Sequence, residues 1–448
     1  MTKSLSYLFI ERLYELRGFS FSDSTITQAK RCLLDYLGVT LAGSKILEEK
    51  AFRYLDYFEA EGSSTIIGQD RKSTIHNAIL INGMNSHVAE LDDGVRYGVL
   101  HPGSPIISAL LSVAEKENIS SNDLLKGIII GYEAAICIGH AIQPSHYSRG
   151  YHPTSTCGTI GAALGIASML NYSLNEMIDT LAASSLSAYG TLKVIEDGSE
   201  LKPYNSGRAA LNGFTAAFLA RSGFKGDKDP LSGDSGFLSM MSTTFDENSL
   251  LGDDLQLGID KIYFKPYASC RHTHPGIEAA LFIKKESNLD IEDIKHITIK
   301  TYEGVIGKHD FNIVPNPAAA KMSIPFSIAI ALKTGKAGLT DFNIRNVEDK
   351  DIISLSNKIT VVSDKEITKL VPHKRAAEVL IKTNSEQTLT HRVDLPKGEP
   401  ENPMTNKELE DKFTQLAMFK GMDKGKIDSI SKYIMNIENS SVKLFELL

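Results

Sequence analysis

Two stretches, GTIGAALGIAS over residues 158–168 and GRAALNGFTAAFLA over residues 207–220, set the architecture of this chain. In both, Gly, Ala and Ser are interleaved with Ile, Leu and Phe, and side chains that small let helix axes approach closely. The texture is that of a large buried helical bundle. On either side of them, apolar residues recur with helical spacing over 25–41, 74–90, 106–116, 121–141, 159–170, 174–187 and 208–221. Helix-start signals accompany the pattern: Ser121 ahead of Asn122 and Asp123, and Ser173 three residues before Glu176. The N-terminal MTKSLSYLFIERLYELRGFSFSD reads as one more amphipathic helix.

After about residue 260 the texture changes. IKHITIKTY (294–302), KITVVSD (358–364), AAEVLIKTN (376–384) and TLTHRVDLP (388–396) are β-branched and read as strands, with a helix-like SIPFSIAIALKTG (323–335) among them. A polar PKGEPENP (396–403) reads as a linker, and helical patterns resume at 406–416 and 425–438. The expected fold is mostly α: a large all-helical domain, residues 1–262 with 400–448, carrying an inserted smaller α+β lid domain over 263–399.

Composition narrows the function. The 448 residues are 42% hydrophobic and 23% charged, which is ordinary for a packed globular protein and excludes disordered or coiled-coil chains. With 48 basic against 55 acidic residues, a net charge of -7 gives no global attraction to nucleic acid or an anionic membrane, so neither is an expected partner. Any anion must be held by a local basic site. Cys32, Cys137, Cys157 and Cys270 have no paired spacing, which speaks for a reducing compartment and against a disulfide framework. The N-terminal segment carries Glu11, Arg12, Glu15 and Arg17, unlike a signal peptide, and no uninterrupted apolar run reaches 18 residues. A cytoplasmic location is expected.

Four clusters carry chemistry. In HVAELDDGVRYGVLHPGSP (87–105), Glu90, Asp92 and Asp93 precede His101 on a Pro-Gly turn, and a carboxylate beside a histidine can prepare a general base. The bland reading is a helix end with solvated acids. In GYHPTSTCGTIGAALG (150–165), His152 stands just before a helix start with Thr154, Ser155 or Thr156 as cap, where free N–H groups favour an anion; His152 as a core residue is the alternative. The glycines do not follow the dinucleotide-binding order. In ELKPYNSGRAALNG (200–213), Lys202 is expected to be extended before Pro203, ahead of another small-residue helix. The Lys-Pro-Tyr triplet returns in FKPYASCRHTHPGIEAAL (264–281), which gathers Lys265, Cys270, Arg271, His272 and His274 before a helix. Such a group suits a di- or tricarboxylate, and a solvated basic loop is its bland counterpart.

His87, Glu90, Asp93, Cys270, His272 and His274 are possible metal ligands, but no H-E-x-x-H, CxxC or calcium-loop spacing joins them, so no metal and no cofactor are expected. Walker and G-x-S-x-G signals are also missing.

Together these motifs, with LKPYNSGRAALNGFTAAFLARSGFKGDKDPLSGDSGF (201–237) and PKGEPENPMTNKELEDKF (396–413), resemble the MmgE/PrpD family over nearly the whole chain and in the family's order. The resemblance implies an all-helical domain built from both termini, an α+β lid, a homodimer, and chemistry on small polycarboxylates without a redox cofactor. Its activities include 2-methylcitrate dehydration, cis-aconitate decarboxylation and iminodisuccinate epimerisation. It implies a site between the two domains with Asp93, His101, His152 and Lys202 as catalytic residues. Glu90, Lys265, Cys270, Arg271 and His274 are expected to bind substrate. The chain departs from the decarboxylase branch at Cys270, which replaces a histidine, at Phe326, which replaces a tyrosine, and at Glu90, which replaces an aspartate. It also lacks a phenylalanine-rich lid motif expected of a 2-methylcitrate dehydratase.

The expected function is a dehydratase-type lyase that removes a proton next to a carboxylate. One of His101 and His152 would be the base and the other the acid, with Lys202, Lys265 and Arg271 holding carboxylates. An epimerase of a substituted succinate is the alternative, ahead of decarboxylation. A metal-dependent hydrolase and a catalytically silent carboxylate-binding protein are the readings from other classes.

Overall fold

The computed structural model describes residues 3–58, 61–196, 199–252, 256–439 and 444–448, and it is mostly helical with one four-stranded sheet and one small hairpin among them. The two small-residue segments are helices packed at van der Waals contact. Pro153–Met169 lies between Ser121–Ile142 and Lys202–Arg221. A Cβ added to Gly161 would sit 2.7 Å from the Gly131 carbonyl oxygen, and one added to Gly213 would sit 2.7 Å from that of Thr159. No larger residue fits without separating the helices, because interiors this dense have no slack. Ser121–Ile142 is long and apolar enough to cross a bilayer, yet 89% of its apolar window is buried among its neighbours. Here it is the core helix of a bundle.

Two helices begin earlier than the apolar periodicity suggests, at Pro153 and at Lys202. Proline tolerates the first turn, where its missing N–H has no partner to lose. Lys202 is therefore helical rather than extended. His152, not one of the three hydroxyl residues after it, occupies the N-cap position, and Thr154 instead accepts the backbone N–H of His101 at 3.1 Å. Ser120 rather than Ser121 caps the next helix back, accepting from the Asp123 N–H at 3.1 Å, whereas Ser173 and Glu176 form the expected capping box.

A short hairpin, β1 (Ser64–Thr65) with β2 (Lys72–Ser73), precedes the sheet proper. The sheet comprises β3 (Ile294–Thr301), β4 (Ile359–Ser363), β5 (Ala377–Thr383) and β6 (Thr388–Val393) in the order β4-β3-β5-β6. β3 runs parallel to β4 and antiparallel to β5, with Ile297 opposite Ile381 and Ile299 opposite Val379. The period of two puts those four side chains on one face. They are buried in one apolar cluster with residues of the helices His274–Ser287 and Ile324–Thr334. The same cluster takes in Val39, Ala42 and Leu416 from the surrounding helices and Leu91 from the loop after Ile75–Val88, so the sheet region and the bundle share apolar surface.

The polar segment at 396–403 is not a loose linker. Gly398, at a φ of +96°, accepts the Phe264 N–H at 3.1 Å, and a Cβ there would meet the Phe264 carbonyl oxygen at 1.9 Å. Glu399 beside it is 1% exposed and takes two hydrogen bonds from Arg271. Composition made this stretch look solvated, but its charge is there to neutralise a buried guanidinium. The chain then returns to the bundle through Asn406–Lys420, packed along Asp23–Ile46, where Lys412 reaches Asp35 at 2.6 Å.

Candidate active site

The starts of the Pro153 and Lys202 helices open onto one cavity. His101, His152 and Lys202 line it from the helical side, and Tyr263, Cys270, Arg271 and His272 line it from the irregular segment that leads into the helix His274–Ser287. Tyr147, His309, Met322 and Arg375, none of them singled out in the sequence, also line it, with Val99, Leu192 and Ile195 as further apolar lining. The turn before His101 is strained, since Glu90 (φ 56°) and Val99 (φ 54°) both adopt left-handed backbone. For a β-branched valine this is an unusual conformation, of the kind that concentrates at functional sites.

Beneath the cavity lies a charged floor. Glu90 forms an ion pair with Lys202 and stands 3.4 Å from the ammonium of Lys265, which in turn is 3.5 Å from Asp92. Lys265 is fully buried. Burial alone would push the Glu90 carboxyl up, but Lys202 and Lys265 outweigh it and hold it well below the carboxylate range. Burial is likewise overcome at Asp92 by His87, His101 and Lys265. Lys265, despite its burial, is held above the ordinary lysine value by Asp92 and Glu90.

The carboxylates do not sit as expected. Asp92, not Asp93, faces the histidines: it hydrogen-bonds His87 Nδ1 at 2.6 Å and lies 3.6 Å from His101 Nδ1. Asp93 gives His101 only its backbone carbonyl, at 2.6 Å. Its carboxyl is turned away from the cavity toward the Tyr132 hydroxyl (2.7 Å) and the Gly103 N–H (3.1 Å), and Asp93 is not among the residues that line the cavity. Burial without a cation raises the Asp93 carboxyl to about 7. His274 also leaves the expected set. Its ring bridges Arg271 (2.9 Å) and the Ser269 carbonyl (3.1 Å), fully buried and off the cavity wall. Arg271 lines the cavity, but Glu399 and the carbonyls of Pro396 and Lys397 engage its donors, so Arg375 offers the less committed guanidinium. Glu90 and Lys265 act from below, through Lys202 and Asp92.

Two of the four cavity histidines, His101 and His152, are held in opposite tautomers. His101 Nδ1 must donate to the Asp93 carbonyl, which leaves a lone pair on Nε2. His152 Nδ1 accepts from the Asn205 amide at 3.3 Å, and that amide is oriented by donating to the Thr191 carbonyl at 3.2 Å. His152 therefore carries its proton on Nε2 when neutral. Burial, followed by Lys265, lowers His101 to about 3, and burial, His87 and Lys202 push His152 well below its usual value. Both rings are neutral near pH 7.

Cys270, His272 and His309 each bring a ligand-type atom to within 4.8 Å of the others, a grouping the motif spacing could not suggest because His309 lies in GKHDF, far from the basic cluster. A roomier groove bordered by Tyr97, His140 and Lys261 lies elsewhere, and its buried carboxylate, Glu133, is already paired with Arg12.

Residues 12–249 match the MmgE/PrpD N-terminal domain and residues 267–430 the MmgE/PrpD C-terminal domain. The chain is 26% identical over 455 aligned positions to the cis-aconitate decarboxylase-like protein oryM of Aspergillus oryzae, covering 95% of this chain and 93% of that one. It is 24% identical to the human cis-aconitate decarboxylase (98% and 93% covered) and 24% identical to that of Aspergillus terreus (88% and 85% covered). With both domain models matched in order along the chain, this protein belongs to the MmgE/PrpD family.

Proposed function

We propose that the protein is a cofactor-independent lyase that removes a proton next to a carboxylate of a small di- or tricarboxylate and expels a β-hydroxyl as water. The observation that carries this reading is the pair of neutral imidazoles in opposite tautomers, His101 with a free Nε2 lone pair and His152 with an Nε2–H, beside the Lys202 ammonium. The relatives bearing a decarboxylase name support lyase chemistry on an aconitate-like skeleton as a class.

His101 takes the carbon-bound proton, and Lys202 with Arg375 stabilises the charge that moves onto the carboxylate, where fixed cations in a dry site are most effective. His152 holds the departing hydroxyl through its N–H. The imidazolium formed on His101 returns the proton to that hydroxyl, so water leaves, the carbon–carbon double bond remains and both rings end neutral. An anionic substrate beside them raises the proton affinity of both rings back toward the working pH, where a general base works best.

The same geometry ranks the alternatives. Epimerisation needs a donor on the second face, and a neutral His152 could supply one only by becoming imidazolate. Decarboxylation that begins with protonation of carbon needs a charged acid at the outset, which burial opposes at both histidines.

Proton NMR in D₂O with citrate, 2-methylcitrate, cis-aconitate and substituted succinates tests the proposal. His101→Gln should lose about 10²- to 10⁴-fold in both deuterium uptake and turnover. His152→Gln should retain more uptake than elimination. A His101→Gln enzyme with wild-type turnover, or inversion without any alkene, overturns the reading.

A further inference from the structure

We infer that Cys270, His272 and His309 form a three-ligand site for a divalent cation of the zinc type, with its open position facing the cavity. The three side chains lie within 4.8 Å of one another, and all of them line the cavity wall. Tetrahedral zinc with bonds of about 2.0–2.3 Å needs its ligand atoms roughly 3.5 Å apart, so side-chain rotations must draw these in by about an ångström.

What distinguishes the group from a chance cluster is the support behind it. His309 donates Nδ1–H to the Met322 carbonyl at 2.8 Å, which leaves the Nε2 lone pair for a metal. His272 Nδ1 meets the Tyr302 hydroxyl, which can accept and so select the same tautomer. Outer partners of this kind orient metal-ligating histidines and raise their basicity. Burial favours the neutral form of both rings, the form that binds metal. Cys270 is only partly buried, and the other three cysteines are buried elsewhere.

The chemistry of the wall selects the ion. The lining offers imidazoles and a thiol but no carboxylate, so a hard cation such as Mg²⁺, which takes oxygen ligands, is disfavoured. A thiolate favours zinc or cobalt. Binding converts the Cys270 thiol to a metal thiolate and releases one proton to solvent. The fourth ligand is a water or a carboxylate; only the carboxylate part rests on the polycarboxylate reading above, and the lyase steps do not pass through the metal.

Titrating the full-length, chelator-treated protein with Co²⁺ and Zn²⁺ tests the site. The expected result is one equivalent per chain, a near-ultraviolet thiolate-to-cobalt band, about one proton released, and protection of Cys270 from alkylation. Cys270→Ser should abolish the band. His309→Gln and the milder Tyr302→Phe should weaken Zn²⁺ binding by at least tenfold and by roughly tenfold. Succinate should shift the visible cobalt bands; if it does not while metal still binds, the carboxylate part fails and the metal site stands. Absence of stoichiometric binding to wild type, or a band that survives Cys270→Ser in protein with an unchanged circular dichroism spectrum, overturns the site itself.

Discussion

The tripeptide Lys-Pro-Tyr occurs twice, at 202–204 and 265–267, and the fold uses the two copies differently. In the first, lysine and proline open a helix of twenty residues, Lys202 reaches the cavity wall, and Tyr204 is 39% exposed. In the second, the triplet lies in irregular chain beside the Phe264–Gly398 contact, Lys265 is wholly enclosed, and Tyr267 packs edge-on against the His274 ring at 5.2 Å. Both ammonium groups nevertheless converge on Glu90. Identical local sequence thus yields one cation placed to meet a ligand and one placed to neutralise the floor beneath it.

The largest expected effect separates these roles by stability. Lys265→Met leaves Glu90 and Asp92 facing each other in a buried site, and breaking a buried pair on one side costs about 3–5 kcal/mol. Lys202→Met leaves Glu90 its second cation. It should unfold at a temperature much closer to wild type while losing about 10²- to 10³-fold in turnover, the usual loss for one charge-stabilising donor. Chemical denaturation and steady-state rates on both variants give the two orderings. Equal stability losses would erase the distinction.

A double-mutant cycle sharpens it. Adding Glu90→Gln to Lys265→Met removes a buried carboxylate that the first substitution left with Lys202 alone and with Asp92 nearby, so the pair should recover roughly 0.5–3 kcal/mol relative to additivity. Glu90→Gln with Lys202→Met should couple less in stability, because Lys265 remains beneath.

The lysines reach Glu90 and Asp92 but not Asp93, and this explains how much of the site was legible. Most helices and strands, and His152 just before a helix start, follow from periodicity and turn residues. Lys202 does not, since the pattern predicts it extended and it opens a helix. The grouping of His101, His152 and Lys202 follows only from the family resemblance. Which of two adjacent aspartates faces the histidine does not follow from periodicity, because the left-handed residue at Glu90 breaks the helical phase just before them. Arg375 and His309 come from segments without a local pattern and meet the cavity only through the packing of the sheet region on the bundle. The 396–403 strap misled for a related reason: composition reports polarity but not whether a buried partner awaits it.

Asp93 supplies the pH test of the same contrast. Its folded value near 7 lies above the ordinary carboxylate value, so the native state binds the extra proton. Stability should therefore fall as pH rises from about 4 to about 7, by about 1.4 kcal/mol per pH unit for one proton. Asp93→Asn keeps an acceptor for the Gly103 N–H and should flatten that slope in melts taken across the window. An unchanged slope would place the titrating proton elsewhere.

The smallest effect concerns the third residue of each triplet. Tyr204 is largely on the surface, within cation–π distance of Arg208 at 5.3 Å, a contact Arg208 makes more closely with Tyr189 at 3.5 Å. Truncating Tyr204 to Ala should stay within about 0.5 kcal/mol of wild type, as surface changes usually do. Tyr267→Ala removes a ring packed against the sheet-region core and should cost several times more, up to about 3 kcal/mol. If the two truncations cost the same, the difference between the triplets would lie in the lysines alone. If they differ as expected, the second triplet, Lys265–Tyr267, behaves as framework, whereas the first presents its lysine to the cavity.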